Sequence, residues 1–443
     1  MNNIRTYLAL LGLLSSCSNY LDVKPDASLA TIDRASELYA LMDNEFVMHQ
    51  QIITGEDLAD NYYVLDQTWN ASTSEMVRNK YIYSTTENDE VGWSGIYTEV
   101  YYANVVLERV EELRENLTPT EYNEIKGTAL FYRSLAFFEA LTLFAMPYRV
   151  GGNEDALGVP LRTTADVNIS FPRATVGASY RKIFEDLAMS VDLLPSTTAV
   201  QSRPSKRAAR GLQARVAFDI GDYERAFAFS QLVLQEESTL LDFATIDHTA
   251  ALPFDRYNIE VIHYTYRFSD FLAPQRSIVD SVLYTSYTDA DYRKRCYFQF
   301  NADADVVFKG SFTQANNSQF TGLSTSEIYL TCIESALRTN REEASREWLN
   351  PYLRMRYMPT GIPNTAVSAT ELLSLVQSER RKELIYRNRR WSDIRRRNLD
   401  GENIVLQRRL NGQLYSLEPN SSGYALPIPL EAIRYSGIEQ NLR

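Results

Sequence analysis

The stretch KRAARGLQARVAFDIGDYERAFAFSQLVLQE, residues 206–236, decides the fold class. In its first half an apolar residue recurs every four positions, the spacing of one helical face: Ala208, Leu212, Val216 and Ile220. Gly221 and Asp222 then form a turn, and a second helical pattern begins at Tyr223. Ala214 and Ala226 are spaced like the small residues that let paired helices approach closely in a tetratricopeptide repeat. The stretch therefore predicts a helical hairpin.

Further segments carry helical signals and resemble parts of the same array. The predicted helices run from the capping box at Thr118, Pro119 and Glu121 to Pro147, over residues 326–339 and 342–355, which Asn340 separates, and onward from a cap at Ser368 and Glu371. Because such repeats cannot each bury an apolar face alone, they stack on a common core. We predict an all-α, mainly helical fold, a tetratricopeptide-like right-handed superhelix of about four helical hairpins with long irregular loop insertions.

Long irregular segments interrupt the helical pattern. Residues 151–177 are rich in glycine and proline, and residues 254–320 mix short aromatic runs with turn residues. Connections of this length are uncommon unless they are functional, so we expect these loops to form the working surface. We predict one domain over residues 17–443. Its N-terminal part, 17–200, holds the first repeats, and 201–443 holds the later repeats, the insertion and a C-terminal motif.

Residues 1–16 read as an export signal of the lipoprotein type. Arg5 precedes a short apolar run that ends at Leu14, well short of the roughly 20 residues that a membrane-spanning helix needs. Ser15 and Ser16 lead into Cys17, as in a lipobox. We therefore predict cleavage before Cys17 and attachment of lipid to its sulfur, which anchors the protein to a membrane. The alternative is an ordinary secreted protein in which this cysteine is incidental.

The charge balance and the cysteines limit the classes of partner. The chain has 57 acidic and 45 basic residues, a formal net charge of −12. Such a chain repels polyanions, so we predict no nucleic-acid partner. Cys296 and Cys332 lie in apolar or aromatic surroundings, where buried free thiols are expected. A single disulfide between them is the alternative, since exported proteins meet an oxidising environment.

No constellation in the sequence indicates a catalytic or metal centre. The three histidines have no partner at metal-ligand spacing and are expected to be structural: His49, His248 and His263. Asn301, Asp303 and Asp305 resemble the start of a calcium loop, but Val306 and Phe312 occupy the glycine and glutamate positions. A solvated acidic turn is the preferred interpretation. We predict no catalytic residue, no metal and no cofactor.

Pairs of carboxylates in the sequence are candidates for acid–base catalysis. Glu379 and Glu383 lie four residues apart on a helix rich in arginine, and ion pairing explains them more simply than acid–base chemistry. The nearby arginines are Arg380, Arg381 and Arg390. No spacing rule selects a catalytic pair from the other candidates, Asp57, Asp60, Asp89 and Glu90. We predict that the protein is not an enzyme, with a surface glycosidase as the alternative from a different class.

Aromatic residues are the most informative feature, with 29 Tyr, 19 Phe and 4 Trp. Sugars expose C–H faces that pack on flat rings, while their hydroxyl groups need polar partners at the rim. Residues 57–70 and 264–287 combine both kinds of side chain. The candidate ligand-binding residues are Asp60, Tyr62, Tyr63, Trp69 and Asn70 in the first stretch and Tyr266 and Tyr287 in the second.

Six stretches carry a recognisable pattern in a fixed order. They are CSNYLDVKP (17–25), WSGIYTEVYYANVVLERV (93–110), ALFYRSLAFFEALTLFAMPY (129–148), FPRATVGASYRKIFEDLAMSVDLLP (171–195), SERRKELIYRNRRWSDIRR (378–396) and ALPIPLEAIRYSGIEQNLR (425–443). Together they resemble the SusD/RagB-like outer-membrane lipoproteins of bacterial nutrient-uptake systems. Arg387 and Asn388 depart from this pattern, since the family usually has Glu and Gly there. Asparagine tolerates a left-handed backbone, so we expect the helix ending to be unchanged.

The resemblance implies a helical receptor that is lipid-anchored to the outer membrane at the cell surface. Such a receptor captures nutrient as the lid of a SusC-like TonB-dependent transporter. Its ligand is an oligosaccharide or, in the RagB branch, a peptide. Ligand contacts in the family commonly lie in the early loops and in the insertion between repeats, which favours Trp69 over Trp93, Trp348 and Trp391. We expect a glycan-binding receptor, with a peptide-binding one as the alternative.

Overall fold

The computed structural model describes residues 32–51, 55–84, 90–268, 271, 273 and 276–442. The predicted export signal and the lipid-attachment residue Cys17 lie outside the described residues. The same holds for Asp89 and for the side chain of Glu90.

Helices make up most of the regular structure in the described part of the chain. In chain order they are α1 (Ala35–Met42), α2 (Asp66–Ala71), α3 (Glu75–Tyr81), α4 (Glu90–Glu112), α5 (Pro119–Phe144), α6 (Val176–Leu193), α7 (Lys206–Asp219), α8 (Tyr223–Glu236), α9 (Ser281–Ser286), α10 (Tyr292–Tyr297), α11 (Thr325–Arg338), α12 (Glu342–Arg354), α13 (Ala369–Glu383), α14 (Arg390–Leu399) and α15 (Leu430–Ser436).

The strands are short and pair into small sheets. They are β1 (Gln50–Gln51), β2 (Tyr62–Tyr63), β3 (Leu157–Pro160), β4 (Arg173–Thr175), β5 (Val261–His263), β6 (Tyr266–Phe268), β7 (Ile278–Val279), β8 (Phe298–Phe300), β9 (Val306–Phe308), β10 (Ser318–Phe320), β11 (Leu323–Ser324), β12 (Leu406–Leu410) and β13 (Gln413–Leu417). β6 lies between β1, which is parallel to it, and β10, which is antiparallel. The antiparallel pairs are β2 with β7, β3 with β4, β5 with β11, β8 with β9 and β12 with β13.

The predicted hairpin is confirmed as α7 and α8. Gly221 has φ +72°, a left-handed conformation that glycine adopts without steric cost and that turns the chain between the helices. Ala214 and Ala226 are fully buried, as expected for small residues where two helices meet. The Ser205 and Asp222 side chains cap the two helices by accepting hydrogen bonds from backbone N–H groups.

The other long helices continue the array on both sides of this hairpin, each packed on the next. α4 packs on α5, α5 on α6, and α6 on α7, while α8 packs on α11, and α11 on both α12 and α13. The capping boxes at Thr118 and Ser368 both form. The mainly helical, tetratricopeptide-like fold is therefore confirmed. One boundary is corrected: α5 ends at Phe144, three residues before Pro147, where the Ala145 backbone becomes extended.

Two groups of buried apolar residues hold the described chain together. The larger group extends from Leu38 through α5 to Ile438. The smaller group is mostly aromatic and lies in the insertion, where Phe254, Tyr297 and Phe312 pack together. Aromatic rings bury a large area per residue, which suits a region whose strands are only two or three residues long. Part of the aromatic content of residues 254–320 is therefore core.

Ion pairs at Glu379 and Glu383 are confirmed, although their partners lie far away in sequence. Arg293 contacts Glu379 at 2.5 Å and Glu383 at 3.3 Å, and Arg356 contacts Glu383 at 2.9 Å. All four side chains are fully buried. The neighbouring arginines pair elsewhere: Arg380 with Asp393, and Arg381 and Arg390 with Asp60.

The two departures from the family pattern and the two cysteines also have defined positions. Asn388 has φ +59°, so the expected left-handed backbone is confirmed. The Arg387 guanidinium lies 3.8 Å from the centroid of the Phe312 ring. Cys296 and Cys332 are buried free thiols, as expected, and burial raises the pKa of the Cys296 thiol to about 11.

Candidate ligand-binding face

The structure brings the two predicted ligand-binding stretches together. Strand β2, from residues 57–70, pairs with β7, from residues 264–287, so that Tyr63 lies opposite Ile278. An ion pair of 2.9 Å between Asp57 and Arg267 joins the same two stretches. The Asp280 backbone N–H donates to the Asn61 carbonyl at 2.9 Å. Two segments about 200 residues apart in sequence therefore form one structural unit.

The structure places four exposed or half-buried side chains on β2, α9 and β8, which we call the aromatic face: Tyr63, Val282, Tyr284 and Phe300. Tyr63 is 39% exposed, Phe300 65% and Val282 70%, while Tyr284 is half-buried. The rings of Tyr284 and Phe300 lie 6.4 Å apart, edge to face. Strand β9, which pairs with β8, packs beside β7 and brings Phe300 into this region. Exposed rings of this kind suit contact with a ligand.

Carboxylates lie beside the aromatic face. The pKa of the Tyr63 phenol is raised by partial burial and further by the negative charges of Asp305 and Asp280. Asp280 also caps α9, since its Oδ1 accepts a hydrogen bond from the Leu283 N–H at 2.8 Å. Ring faces with adjacent polar groups are what a sugar ring and its hydroxyl groups require.

Three of the predicted ligand-binding residues are buried. Tyr62 is 1% exposed, and its hydroxyl donates to the Asp57 carbonyl. Tyr287 is also 1% exposed and donates to the Lys382 carbonyl at 2.7 Å. Tyr266 is 7% exposed, on the central strand of the three-stranded sheet. None of these rings presents a face to solvent, so the site that we propose leaves them out.

The carboxylate of Asp60, another predicted ligand-binding residue, is already paired with two arginines. Arg390 donates to both Asp60 oxygens, at 2.6 and 2.8 Å, and Arg381 lies 3.3 Å away. These guanidinium groups hold the pKa of Asp60 well below its ordinary value although burial opposes them. A bidentate ion pair leaves little hydrogen-bonding capacity for a ligand. Asp60 therefore serves to fix the early loop onto α14.

Trp69 and Asn70 lie at the surface on α2, a helix that begins three residues after Tyr63. Trp69 is half-buried, and its indole N–H donates to the Arg78 carbonyl at 3.4 Å. Asn70 is exposed and exchanges two hydrogen bonds of 3.1 Å with Asn411, at the turn between β12 and β13. Among the predicted residues that are not held in an ion pair, Tyr63, Trp69 and Asn70 are thus the ones that solvent reaches.

The acidic turn at Asn301 closes the hairpin of β8 and β9. The Asn301 side-chain oxygen accepts hydrogen bonds from the backbone N–H groups of Asp303 and Asp305, at 3.0 and 2.8 Å. These bonds close a compact turn of the Asx type, in which Asp303 is exposed to solvent. Among the described residues, no group of three or more histidine, cysteine or carboxylate side chains is arranged to hold a metal ion.

Val282 and Phe300 are surface residues that the sequence reasoning did not select. Both lie in the insertion that was expected to be functional, yet neither is a tyrosine or tryptophan. Phe298 and Phe300 are two residues apart on β8, a spacing that places both on the same side of a strand, yet Phe298 is 6% exposed and Phe300 is 65% exposed. The difference arises from packing, because Phe298 contacts Tyr287 and Tyr297. No local sequence signal distinguishes the two phenylalanines.

A buried glutamate beneath the face should give stability a measurable pH dependence. Burial raises the pKa of Glu56 from 4.5 to about 7, although Asn61 and the Asn388 N–H donate hydrogen bonds to it. The neutral form then stabilises the fold below pH 4.5, and this contribution is lost as pH rises through about 7.

The quantity to follow is the difference in unfolding free energy between the wild type and Glu56→Gln. We expect the stability of the wild type relative to this variant to fall by about 3 kcal/mol between pH 4.5 and pH 8. Denaturant unfolding of both proteins across this range measures the difference. A difference that stays constant with pH would contradict the burial of a titrating carboxyl group at Glu56.

The fold and the exposed aromatic side chains define a class of protein: a tetratricopeptide-like helical scaffold with long loop insertions that carry exposed rings. Family comparisons agree. A model described as "Starch-binding associating with outer membrane" matches residues 19–218, and the model of the SusD family matches residues 278–442. The chain belongs to the SusD/RagB-like family.

Individual relatives are more distant. SusD-like protein P38 of Formosa agariphila is 25% identical over 250 residues, which are 53% of this chain and 46% of the relative. The match thus spans about half the length of that curated relative. A SusD superfamily protein from Bacteroides thetaiotaomicron superimposes with a TM-score of 0.76 and 21% identity, over 92% of this chain and 98% of the other. A putative sugar binding protein from Bacteroides vulgatus gives a TM-score of 0.76 and 19% identity, over 93% and 98%. These structures share the fold.

Within the described part of the chain, every helix is too short or too polar to cross a membrane.

Proposed function

We propose that the protein is a cell-surface nutrient-capture receptor that binds oligosaccharides on the aromatic face. The observation that carries this proposal is a set of solvent-exposed rings on loops of a helical scaffold: Tyr284 and Phe300 contact each other, and the pairing of β2 with β7 joins Tyr63 to the same insertion, near Asp280 and Asp305. Rings bind the C–H faces of sugars, and carboxylates accept hydrogen bonds from hydroxyl groups. Family membership and the names of relatives, a sugar binding protein among them, support the same reading.

Peptide capture on the same scaffold is the alternative. A peptide is commonly held through its backbone, which pairs with the free edge of a strand or with a row of polar groups. The aromatic face offers exposed ring surfaces, with the carboxylates of Asp280 and Asp305 near Tyr63. This composition favours a sugar, because a neutral pyranose needs flat apolar surface and hydroxyl acceptors in equal measure.

The binding test uses the mature chain from residue 17 with Cys17→Ser, screened on glycan and peptide arrays. We expect retention of oligosaccharides and no enrichment of peptides. Selective retention of peptides would replace the glycan proposal with the alternative.

We also propose that the protein does not hydrolyse its ligand. The paired carboxylates Glu379 and Glu383 are fully buried and ion-paired with arginine, so neither faces a substrate. A glycosidase needs two carboxyl groups on opposite sides of a scissile bond. Incubation of the purified protein with a panel of polysaccharides should release no reducing ends, and detectable turnover would reverse this assignment.

Outer-membrane anchorage through Cys17 and partnership with a SusC-like TonB-dependent transporter complete the proposal. Several acyl chains on one cysteine hold a protein firmly on a membrane surface, so Cys17→Ser should move the protein from the membrane fraction to the soluble fraction. Fractionation and surface proteolysis of cells that express each form measure this shift. Ser16→Ala is the matched control and should leave the distribution unchanged. Retention of Cys17→Ser in the membrane would contradict lipid anchorage.

A further inference from the structure

The structure also has a groove that shares no residue with the aromatic face. It opens between α4, the loop of residues 160–171 and α15, and has a volume of about 400 Å³. Five aromatic side chains line it: Trp93, Tyr97, Tyr101, Phe171 and Tyr435. Sequence reasoning placed Trp93 in the scaffold, and the structure shows that this scaffold tryptophan also forms the floor of a groove.

The rings of α4 form a row because they are spaced at four-residue intervals on one helical face. Trp93 packs edge-on against Phe144 at 4.9 Å and lies 4.7 Å from Tyr97. The Tyr97 hydroxyl donates to the Pro160 carbonyl at 3.0 Å, which ties the loop to the helix. These contacts give the groove a fixed floor of aromatic surface.

The rim of the groove is unusually exposed. Tyr101 is 43% exposed and Tyr435 is 87% exposed, so neither ring is held in the core. Ser170 donates to the Ser436 carbonyl at 3.0 Å, and this bond connects the loop with α15 beside Tyr435. A contiguous exposed aromatic patch on a soluble surface commonly marks a binding site.

The charge of the groove differs from that of the whole protein. The chain has a net charge of −12, yet the lining residues that the structure describes include no carboxylate and one cation, Arg162. Its guanidinium lies 5.4 Å from the centroid of the Phe171 ring and donates to the Asp166 carbonyl at 2.9 Å. No carboxylate of the described chain lies within ion-pair distance of it. Arg162 therefore offers unused donors beside flat aromatic surface.

We infer that this groove is a second ligand site, for an acidic oligosaccharide whose sugar ring stacks on Tyr101 and Tyr435 and whose anionic group binds Arg162. An uncharged apolar partner would cover the guanidinium without supplying acceptors, which is unfavourable. A carboxylate or sulfate supplies them with bidentate geometry. The assignment of the ligand as a saccharide rests on the proposed function. The assignment of a negative charge to the ligand rests on Arg162.

Calorimetry on the mature chain with Cys17→Ser tests the site with three probes: tetragalacturonate, its methyl ester and a sulfated carrageenan tetrasaccharide. We expect Arg162→Gln to weaken binding of at least one acidic probe tenfold or more, because a charge-assisted hydrogen bond is lost. Binding of the methyl ester should not change. Tyr435→Ala should weaken acidic-probe binding about fivefold. The carboxylate and sulfate probes distinguish the two sources of negative charge.

Two controls accompany these variants. Arg434→Gln removes an exposed arginine from the same helix as Tyr435 and should leave binding unchanged. Tyr63→Ala alters the aromatic face and should not affect binding in the groove. The unfolding midpoint of each variant verifies its fold, and Tyr435→Ala provides a test in which little packing is lost.

The outcomes separate this inference from the proposed function. Equal affinity of the wild type, Arg162→Gln and Tyr435→Ala for the acidic probes would overturn the groove site. Absence of acidic-probe binding, together with array binding of neutral glycans that Tyr63→Ala reduces, would also overturn it and leave the proposed function intact. Absence of any saccharide binding would overturn both. If Arg162→Gln and Tyr435→Ala bind saccharide like the wild type but no longer associate with the transporter, the groove is a protein-docking surface instead.

Discussion

Replacing Arg293 with methionine is expected to lower the free energy of unfolding by about 3–5 kcal/mol, because it leaves buried carboxylates without their cation. Arg293 is fully buried and contacts Asp291 at 2.8 Å, Glu379 at 2.5 Å and Glu383 at 3.3 Å. Its remaining donors bind the hydroxyl groups of two tyrosines. Because methionine fills much of the same volume, the decrease in stability reflects the missing positive charge and not a cavity.

Denaturant unfolding at pH 7 measures this loss, with Arg295→Met as the matched control. Arg295 lies on the same helix, α10, but is exposed, and its replacement should change stability by less than about 0.5 kcal/mol. Equal stability of the two variants would show that Arg293 is dispensable for the buried cluster.

The same cluster should lose its stabilising effect in acid. Arg356 and Arg293 lower the pKa of Glu383 to about 2 although burial opposes the shift. A lowered carboxyl pKa stabilises the fold above the ordinary value of 4.5, and this contribution disappears as pH falls toward 2. The stability difference between wild type and Arg293→Met should therefore narrow over that interval.

The helical part of the fold was predictable because its signals are local. Capping boxes at Thr118 and Ser368 fix where helices begin, and the four-residue spacing in residues 206–236 fixes which face is buried. The predicted helix 326–339 is observed as Thr325–Arg338, a shift of one residue. Hydrogen bonds and side-chain spacing within a few residues carry this information, so no knowledge of distant contacts was needed.

The partners of buried charges were not predictable in the same way. Glu379 and Glu383 were recognised as ion-pairing residues from their own helix, yet Arg293 lies 86 residues from Glu379 in sequence. Helical spacing identifies neighbours three or four residues apart and contains no information on which distant element packs against them. The sequence thus indicated the type of interaction and left its geometry open.

The candidate site shows the same limit at the level of single residues. Tyr62 and Tyr63 are adjacent tyrosines in one short strand, but Tyr62 is 1% exposed and Tyr63 is 39% exposed. Side chains alternate along a strand, so one of the two had to point inward. The pairing of β2 with β7 decides which one, and that pairing joins segments more than 200 residues apart.

Trp69→Ala alone should weaken glycan binding less than removal of rings from the aromatic face. The Trp69 ring is half-buried, with its N–H bonded to the Arg78 carbonyl and the Arg78 guanidinium 5.8 Å from its centroid. Part of its surface is therefore already occupied within the protein. Because α2 begins three residues after Tyr63, we expect that only a longer oligosaccharide reaches Trp69.

The double variant Tyr63→Ala with Phe300→Ala is expected to bind the captured glycan at least about thirtyfold more weakly than the wild type. Each ring contributes about 1 kcal/mol of stacking beyond the area it buries, and two such losses multiply. Because both rings are exposed in the free protein, the unfolding midpoint should change little.

Phe46→Ala is the matched control for this variant, since Phe46 is 77% exposed on the short helix of residues 45–49, outside the aromatic face. Calorimetry with the oligosaccharide selected on the array compares the proteins. Unchanged affinity in the double variant would remove the aromatic face as the ligand site, because exposed rings that bind sugar cannot be deleted without loss of contact area. If the double variant loses affinity and Phe46→Ala binds like the wild type, glycan binding depends on the exposed rings of β2 and β8.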